Sequence, residues 1–307
     1  MAALVRRCAA DPELLSLVPA APAWDVPHRM LAAVEYLILA GEAEDYRSAD
    51  DGWASFRSTV AARRAWVEAF VRERTVQTNE PQRSWALLPL FLTVARAAAA
   101  RLDVVELGAS AGLNLLWDRY RYGYAAGAWG DERSPLRLRG DERAAVPADL
   151  LATEVDVRRR RGIDLAPLDA TSEEGLRTLL AFRTDLGYRT RVRGAAAIVR
   201  AEPPELIAGD YVELLPDLLR DRDGSALTVV FQTLSTVYLA DERRDRLREL
   251  VERAGREGPL AWISTPTPDE HGQRRGDYPL ELALWPGGER RIVARMDNHG
   301  TWLEWLG

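Results

Sequence analysis

Lysine is absent from this chain, and all 41 basic residues are arginine. That absence removes a P-loop lysine, a pyridoxal-phosphate Schiff base and a Ser-Lys dyad from the available chemistry. Cysteine is nearly absent too. The single Cys8 allows no intramolecular disulfide and no multi-cysteine zinc site, which sets the expectation of a reducing, cytoplasmic location. The three histidines, His28, His271 and His299, lie far apart with no neighbour at ligand spacing, so no metal is expected. Long apolar runs are also missing. Residues 1–19 lack the continuous apolar core of a secretory signal. Residues 30–40 and 86–100 are too short to span a bilayer and carry Glu35, Pro89 and Arg96. The net charge of -6 argues against nucleic acid or anionic membrane as partner, leaving a small-molecule substrate as the expectation.

What is present suffices for an ordinary core: 307 residues, 47% of them hydrophobic, with room for one large domain or a domain and a smaller companion. The first hundred residues read as helices. Asp11-Pro12-Glu13 supplies a cap, a proline at the first helical position and an early acid. Trp53, Phe56, Val60, Val67 and Phe70 recur near helical spacing, and 86–100 gives another helix with Pro89 near its first turn. From 102 onward strands and helices alternate, as in a parallel α/β sheet. Strands are predicted at 102–107, 136–139, 205–209, 227–231 and 260–264, and helices from Leu113 through Tyr120, at 171–183 and at 240–254. The tail, 280–284, 291–296 and 302–306, has antiparallel spacing around Pro286-Gly287-Gly288. The expected division is a helical cap or lid over 1–100 and an α/β domain over 101–307.

The stretch Val104-Val105-Glu106-Leu107-Gly108-Ala109-Ser110-Ala111-Gly112-Leu113-Asn114 carries the most chemistry. An apolar strand ends in a carboxylate, turns through small residues and enters a helix-like pattern, which would offer free backbone N–H groups to a polar cofactor. As E-x-G-x-x-x-G it is similar to the first motif of S-adenosylmethionine-dependent methyltransferases. As G-x-S-x-G it matches the nucleophile elbow of serine hydrolases, with Asp210 and His299 following in the right order. The elbow requires several sheet strands upstream and an oxyanion loop, and the helical first hundred residues contain no Gly-Gly pair. Ser110 is accordingly read as a small residue permitting close backbone approach. A dinucleotide fingerprint would need glycine at Ser110 and Leu113.

Downstream residues fit the methyltransferase order. An acid for the ribose hydroxyls is offered by Asp164, Asp141 or Glu142. Asp210, in Ile207-Ala208-Gly209-Asp210, stands where the adenine amino group would be accepted. Phe231 and Gln232 end the strand beside the reacting methyl. Over nearly its whole length the chain also resembles the bacterial domain of unknown function 2332 family. The residues that carry this likeness are Arg74-Thr75-Val76-Gln77-Thr78-Asn79-Glu80, Glu106 through Tyr122, Gly209-Asp210 and His299-Gly300-Thr301-Trp302-Leu303-Glu304-Trp305. The resemblance implies a methyltransferase-like α/β domain behind a helical region, with no reaction attached. Relatives commonly show histidine where this chain has Gln232, and Trp-Pro-Asp or Trp-Pro-Glu where it has Arg183-Thr184-Asp185.

The expected fold is therefore a Rossmann-like class I methyltransferase sheet with an N-terminal helical region and an antiparallel C-terminal strand pair. The expected cofactor is S-adenosylmethionine, held by Glu106, Gly108, Ala109, Ser110, Gly112, Asp164, Asp210 and Phe231. Glu106 would face the ammonium, and Gln77, Asn79, Glu80 and Asn114 would meet substrate. Asn114 serves equally as a cap, and Gln77–Glu80 reads as a lid loop. Gln232 and His299 are the candidate catalytic groups, although a lone histidine in a turn is more often structural. Tyr120, Tyr122 and Tyr124 read as helix-end packing, and Arg158–Arg161 as a solvated charge run. A serine hydrolase at Ser110 and a non-catalytic binding protein are the alternatives.

Overall fold

Proline and polar caps decide where the helices of the first hundred residues begin. In the computed structural model, which describes residues 2–16, 25–98, 101–266 and 276–307, these are α1 (Ala2–Ala9), α2 (Pro12–Leu15), α3 (Val26–Leu39), α4 (Gly52–Ala62), α5 (Arg64–Glu73) and α6 (Arg83–Ala98). Asp11 and Asp51 cap α2 and α4 by accepting two backbone N–H groups each. The predicted single face from Trp53 to Phe70 is two helices, broken where Arg63 leaves helical geometry (φ -112°, ψ 24°). Pro89 lies in the second turn of α6, because the helix starts at Arg83. Proline cannot donate to the carbonyl four residues back. That carbonyl, of Trp85, is taken instead by the Tyr124 hydroxyl.

The chain continues as β1 (Arg101–Leu107), β2 (Arg121–Tyr124), β3 (Gly127–Trp129), β4 (Arg137–Arg139), β5 (Asp141–Ala144) and β6 (Val157–Asp164). Then come α7 (Glu173–Ala181), α8 (Leu186–Ala201), β7 (Glu205–Ala208), α9 (Tyr211–Arg220), β8 (Ala226–Phe231), α10 (Asp241–Glu257) and β9 (Leu260–Ser264). Strands β10 (Tyr278–Trp285), β11 (Arg290–Met296) and β12 (Trp302–Trp305) close it. Among the described residues nine strands form one sheet in the order β5-β12-β11-β10-β9-β8-β1-β6-β7. From β7 to β9 all neighbours are parallel, and β9 to β12 is an antiparallel meander. The predicted C-terminal pair is thus three strands, with β5 added in parallel on the far edge.

Two further expectations change. The segment after the β1 turn is a 3₁₀ stretch, Leu113–Arg119, kinked at Leu116, and not an α-helix. Arg121 to Tyr124 is strand rather than helix end: Tyr122 and Tyr124 lie two apart along β2, which joins β3 and β4 in a small second sheet, while Tyr120 caps the end of the 3₁₀ stretch. All three tyrosines are buried, and their hydroxyls donate to the carbonyls of Leu113, Trp117 and Trp85. Burial without ionisation raises all three phenols well above their ordinary range.

By its contacts the chain divides into two compact units, 1–78 with 169–193 and 79–168 with 194–307, whereas the sequence-based division at residue 100 follows the change from helix to strand. In the first, Met30, Val34 and Leu37 of α3 share a core with Phe56, Val60, Val67, Phe70 and Phe182. In the second, Val105, Leu107, Ile163 and Val230 of the sheet pack under Val212 and Leu215 of α9 and Leu247 and Val251 of α10. Among the described residues no helix is long and apolar enough to cross a membrane.

One buried charge holds the first unit. Glu35 of α3 is fully buried and accepts from the Tyr46 hydroxyl (2.7 Å), Arg47 (2.6 Å) and Arg189 (2.8 Å). Removing one partner of a buried pair strands the other. Glu35→Ala is expected to cost about 3–5 kcal/mol in urea unfolding, and Glu35→Gln, which can still accept from Tyr46, clearly less. Equal losses in the two variants would contradict this role.

Candidate functional site

In an open parallel sheet, ligands bind at the carboxyl ends of the strands where strand order reverses. Here that point lies between β1 and β8, with β6 and β7 running outward on one side and β9 on the other. Two non-glycine residues among those described take positive φ, Ser110 (52°) and Leu234 (63°), and both lie in loops leaving this edge. Such strain collects at functional sites.

The turn after β1 is forced into its shape by close neighbours. Gly108 has φ 74°, and a Cβ there would meet Ser235 Cβ at 2.4 Å; the Ser235 hydroxyl donates to Leu107 O. At Gly112 (φ 68°) a Cβ would lie 2.9 Å from Pro204 Cγ. Five backbone donors of the turn are spent inside the protein. Gly108 and Ala109 N–H go to Ile163 O (2.8 and 3.2 Å), Ser110 N–H to Asp164 Oδ2 (2.8 Å) and Leu113 N–H to Asn79 Oδ1 (2.8 Å). Gly112 N–H returns to Ala109 O at 2.7 Å. At these five positions the expectation of free amides at a helix start is not met.

What remains unspent is side-chain chemistry. Glu106 sits in β1 between Gly162 and Phe231 with 2% of its surface exposed. Its Oε2 has no hydrogen-bond partner, nor has Nδ2 of Asn114, itself 1% exposed. Burial pushes the Glu106 carboxyl well above the usual range. The nearby Asn114 amide and Arg83 guanidinium pull it the other way, and the Asp164 charge adds to the rise. The amide is thus close enough to ease ionisation of the carboxyl without forming a full hydrogen bond. Asn114 Oδ1 accepts from Ser84 Oγ at 2.8 Å.

The start of α6 and the tail turn back this pair. Glu80, fully buried, accepts from Gln82 N–H (3.0 Å). The Gln82 amide donates to Arg139 O and Gly300 O (2.9 and 3.1 Å), and Arg83 Nε to Asn298 O (2.9 Å). His299 is half-buried on that turn. Gly300 (φ 70°) admits no side chain, since a Cβ would lie 2.7 Å from Gln82 O.

Of the three acids considered for a ribose, Asp164 alone stands beside the β1 turn, accepting from Ser110 and Ala166 N–H. Asp141 and Glu142 belong to β5 at the opposite edge of the sheet, and Glu142 is engaged with Ala125 and Val146 N–H. Asp210 caps α9 through Val212 N–H (2.9 Å) and pairs with Arg243 (2.5 Å). Phe231 is fully buried, edge-on to Phe91 at 5.2 Å, so it faces the core. The Gln232 amide donates to Thr265 O (3.0 Å) and accepts from Ser235 N–H (3.2 Å), tying the ends of β8 and β9 together. Gln77, buried and bonded to Thr75 Oγ1, belongs to the other unit. His28 is exposed on α3, and His271 lies outside the described residues. Arg158 and Arg160 are not a solvated run, because they pair with Asp103, Asp118 and Glu202.

Sequence reasoning missed Ser84 and Ser235. The glycine at 108 signalled a close neighbour without naming it, and nothing in the letters around Ser84 sets it apart. A cavity of about 860 Å³ lies at the other edge, by the amino ends of β8 and β9, lined by Arg222, Asp223, Ser225 and Trp285. Neither the strained backbone nor the unpaired carboxyl is there.

Residues 1–305 match a family model described as uncharacterized protein conserved in bacteria, DUF2332. The chain belongs to this family. No curated protein matches it. In this DUF2332 protein Glu106 carries a pH signature. A carboxyl raised in the folded state contributes stability that is complete below its unfolded value and lost as pH rises through its folded value. As pH rises above the ordinary carboxylate range, the wild-type melting temperature should therefore fall relative to Glu106→Gln, which lacks this group. Thermal melts of both proteins check it, and parallel curves would contradict it.

Proposed function

We propose that this DUF2332 protein is a Rossmann-like methyltransferase that binds S-adenosylmethionine at the β1 crevice and methylates a small molecule. The observation that carries the reading is the unpartnered Oε2 of Glu106, buried at the reversal of strand order. A buried carboxyl without a partner is costly, and a ligand ammonium relieves that cost. Asn114 Nδ2 beside it is a free donor for the adjoining carboxylate. Together the two atoms fit the two ends of an α-amino acid group. Each Asp164 oxygen accepts one backbone N–H and keeps a second lone pair for ribose hydroxyls. Leu165, 73% exposed next to it, offers an apolar surface to a flat base.

Asp210 fits an adenine amino group less well, since both its oxygens are engaged. When bound, the cofactor supplies an electrophilic methyl on a sulfonium. The chain's own contribution is positioning and exclusion of water, because the Gln232 amide is locked and is no base. Acceptors that need no proton removed at that position, such as a neutral amine or a thiolate, suit it. The hydrolase alternative requires an acid to orient a histidine for Ser110, and Asp210 is committed to α9 and Arg243.

Calorimetric titration with S-adenosylmethionine and S-adenosylhomocysteine tests the reading. Wild type and Ser110→Ala should bind alike, and Glu106→Ala should bind roughly thirtyfold more weakly, about 2 kcal/mol. Absence of binding at millimolar ligand would overturn it. Binding with no methyl consumed across an acceptor panel would replace it with a non-catalytic binding protein.

A further inference from the structure

The Glu106–Asn114 pair has a third member that orients it. Ser84, in the first turn of α6, is fully buried and its hydroxyl donates to Asn114 Oδ1 at 2.8 Å. An asparagine amide has one acceptor end and one donor end, and the partner of one end fixes where the other points. With Oδ1 held by Ser84, Nδ2 and its hydrogens are left toward Glu106, where they have no partner.

We propose that Ser84 is a positioning residue: it holds the Asn114 amide with its donor end toward Glu106 and thereby ties the amide's orientation to the charge of that carboxyl. Two arrangements are chemically consistent. When Glu106 is ionised, Nδ2 donates toward it and Oδ1 accepts from the Ser84 hydroxyl. When Glu106 carries its proton, the amide would have to turn over for Oδ1 to accept from the Glu106 O–H, which takes from the Ser84 hydroxyl the acceptor it holds at Asn114 Oδ1. Ser84 therefore favours the ionised state. Arrival of a ligand ammonium selects the first arrangement, and the Glu106 proton leaves to solvent. The other groups facing Glu106 are Arg83 from α6, Asp164 from β6 and the Tyr120 hydroxyl ahead of β2; its strand neighbours Gly162 and Phe231 carry no charge.

The inference extends the reading of Glu106 as the ammonium site, and its test is built to fail separately. The Glu106 carboxyl is followed by carbon-13 NMR in the ligand-free full chain, with Glu106→Gln identifying the resonance. Its titration midpoint should rise by about one pH unit in Ser84→Ala, with Ser84→Cys, a weaker donor of similar size, in between. An unchanged midpoint in Ser84→Ala would overturn the proposal, because a merely structural hydrogen bond alters stability without moving it. In a second arm, S-adenosylhomocysteine binding is measured in buffers of different ionisation enthalpy. At a pH near the wild-type midpoint, Ser84→Ala should release more protons per ligand bound than wild type, and equal release would contradict the proposal. If this ligand does not bind, the functional reading falls while the first arm still decides the role of Ser84.

Discussion

The carboxyl end of β6 holds the backbone of the turn that leaves β1. Ile163 O takes two N–H groups and the Asp164 carboxylate a third. This grip holds the positive φ of Gly108 and Ser110, brings the turn against Ser235 and takes up three of its backbone donors. Beside this turn Glu106 and Asn114 are both buried, and each has one unpaired atom. Asp164 has a double position, since it builds the turn and stands at its rim.

The fold was legible where the physics is local. A run at 227–231 that is apolar but for Thr228 suits a strand buried on both faces, and it forms β8 in the middle of the parallel region. Ser172 caps α7 by accepting from Gly175 N–H, as its spacing to that residue implies. The small sheet is hidden in the sequence because Tyr122 and Tyr124 suit packing at a helix end as well as the spacing of two of a strand. The segment 136–139 reads as a strand, and the alternation alone would put it in the main sheet. It joins β2 instead, which carries Asp141 and Glu142 away from the site.

The site was legible in part. Glu106 and Asn114 stand together, and Asn79 reaches Leu113 N–H from the start of α6. Asp210, Phe231 and Gln232 follow the order of a methyltransferase along the chain, yet their side chains serve a helix cap, the core and a strand tie. Order in sequence fixes which strand end a residue occupies. It does not fix which neighbour reaches its side chain first, and Arg243 and Thr265 lie more than thirty positions away from their partners. Ser84 shows the same limit, being thirty residues from Asn114.

The central claim is that the unpaired Glu106 carboxyl receives a ligand ammonium. A crystal structure of the full chain grown with S-adenosylhomocysteine tests it most directly. The account predicts the ligand's amino nitrogen within hydrogen-bond distance of Glu106 Oε2, its carboxylate on Asn114 Nδ2 and its ribose beside Asp164. Ligand seated in the cavity at the amino ends of β8 and β9, with Glu106 still unpartnered, would contradict it.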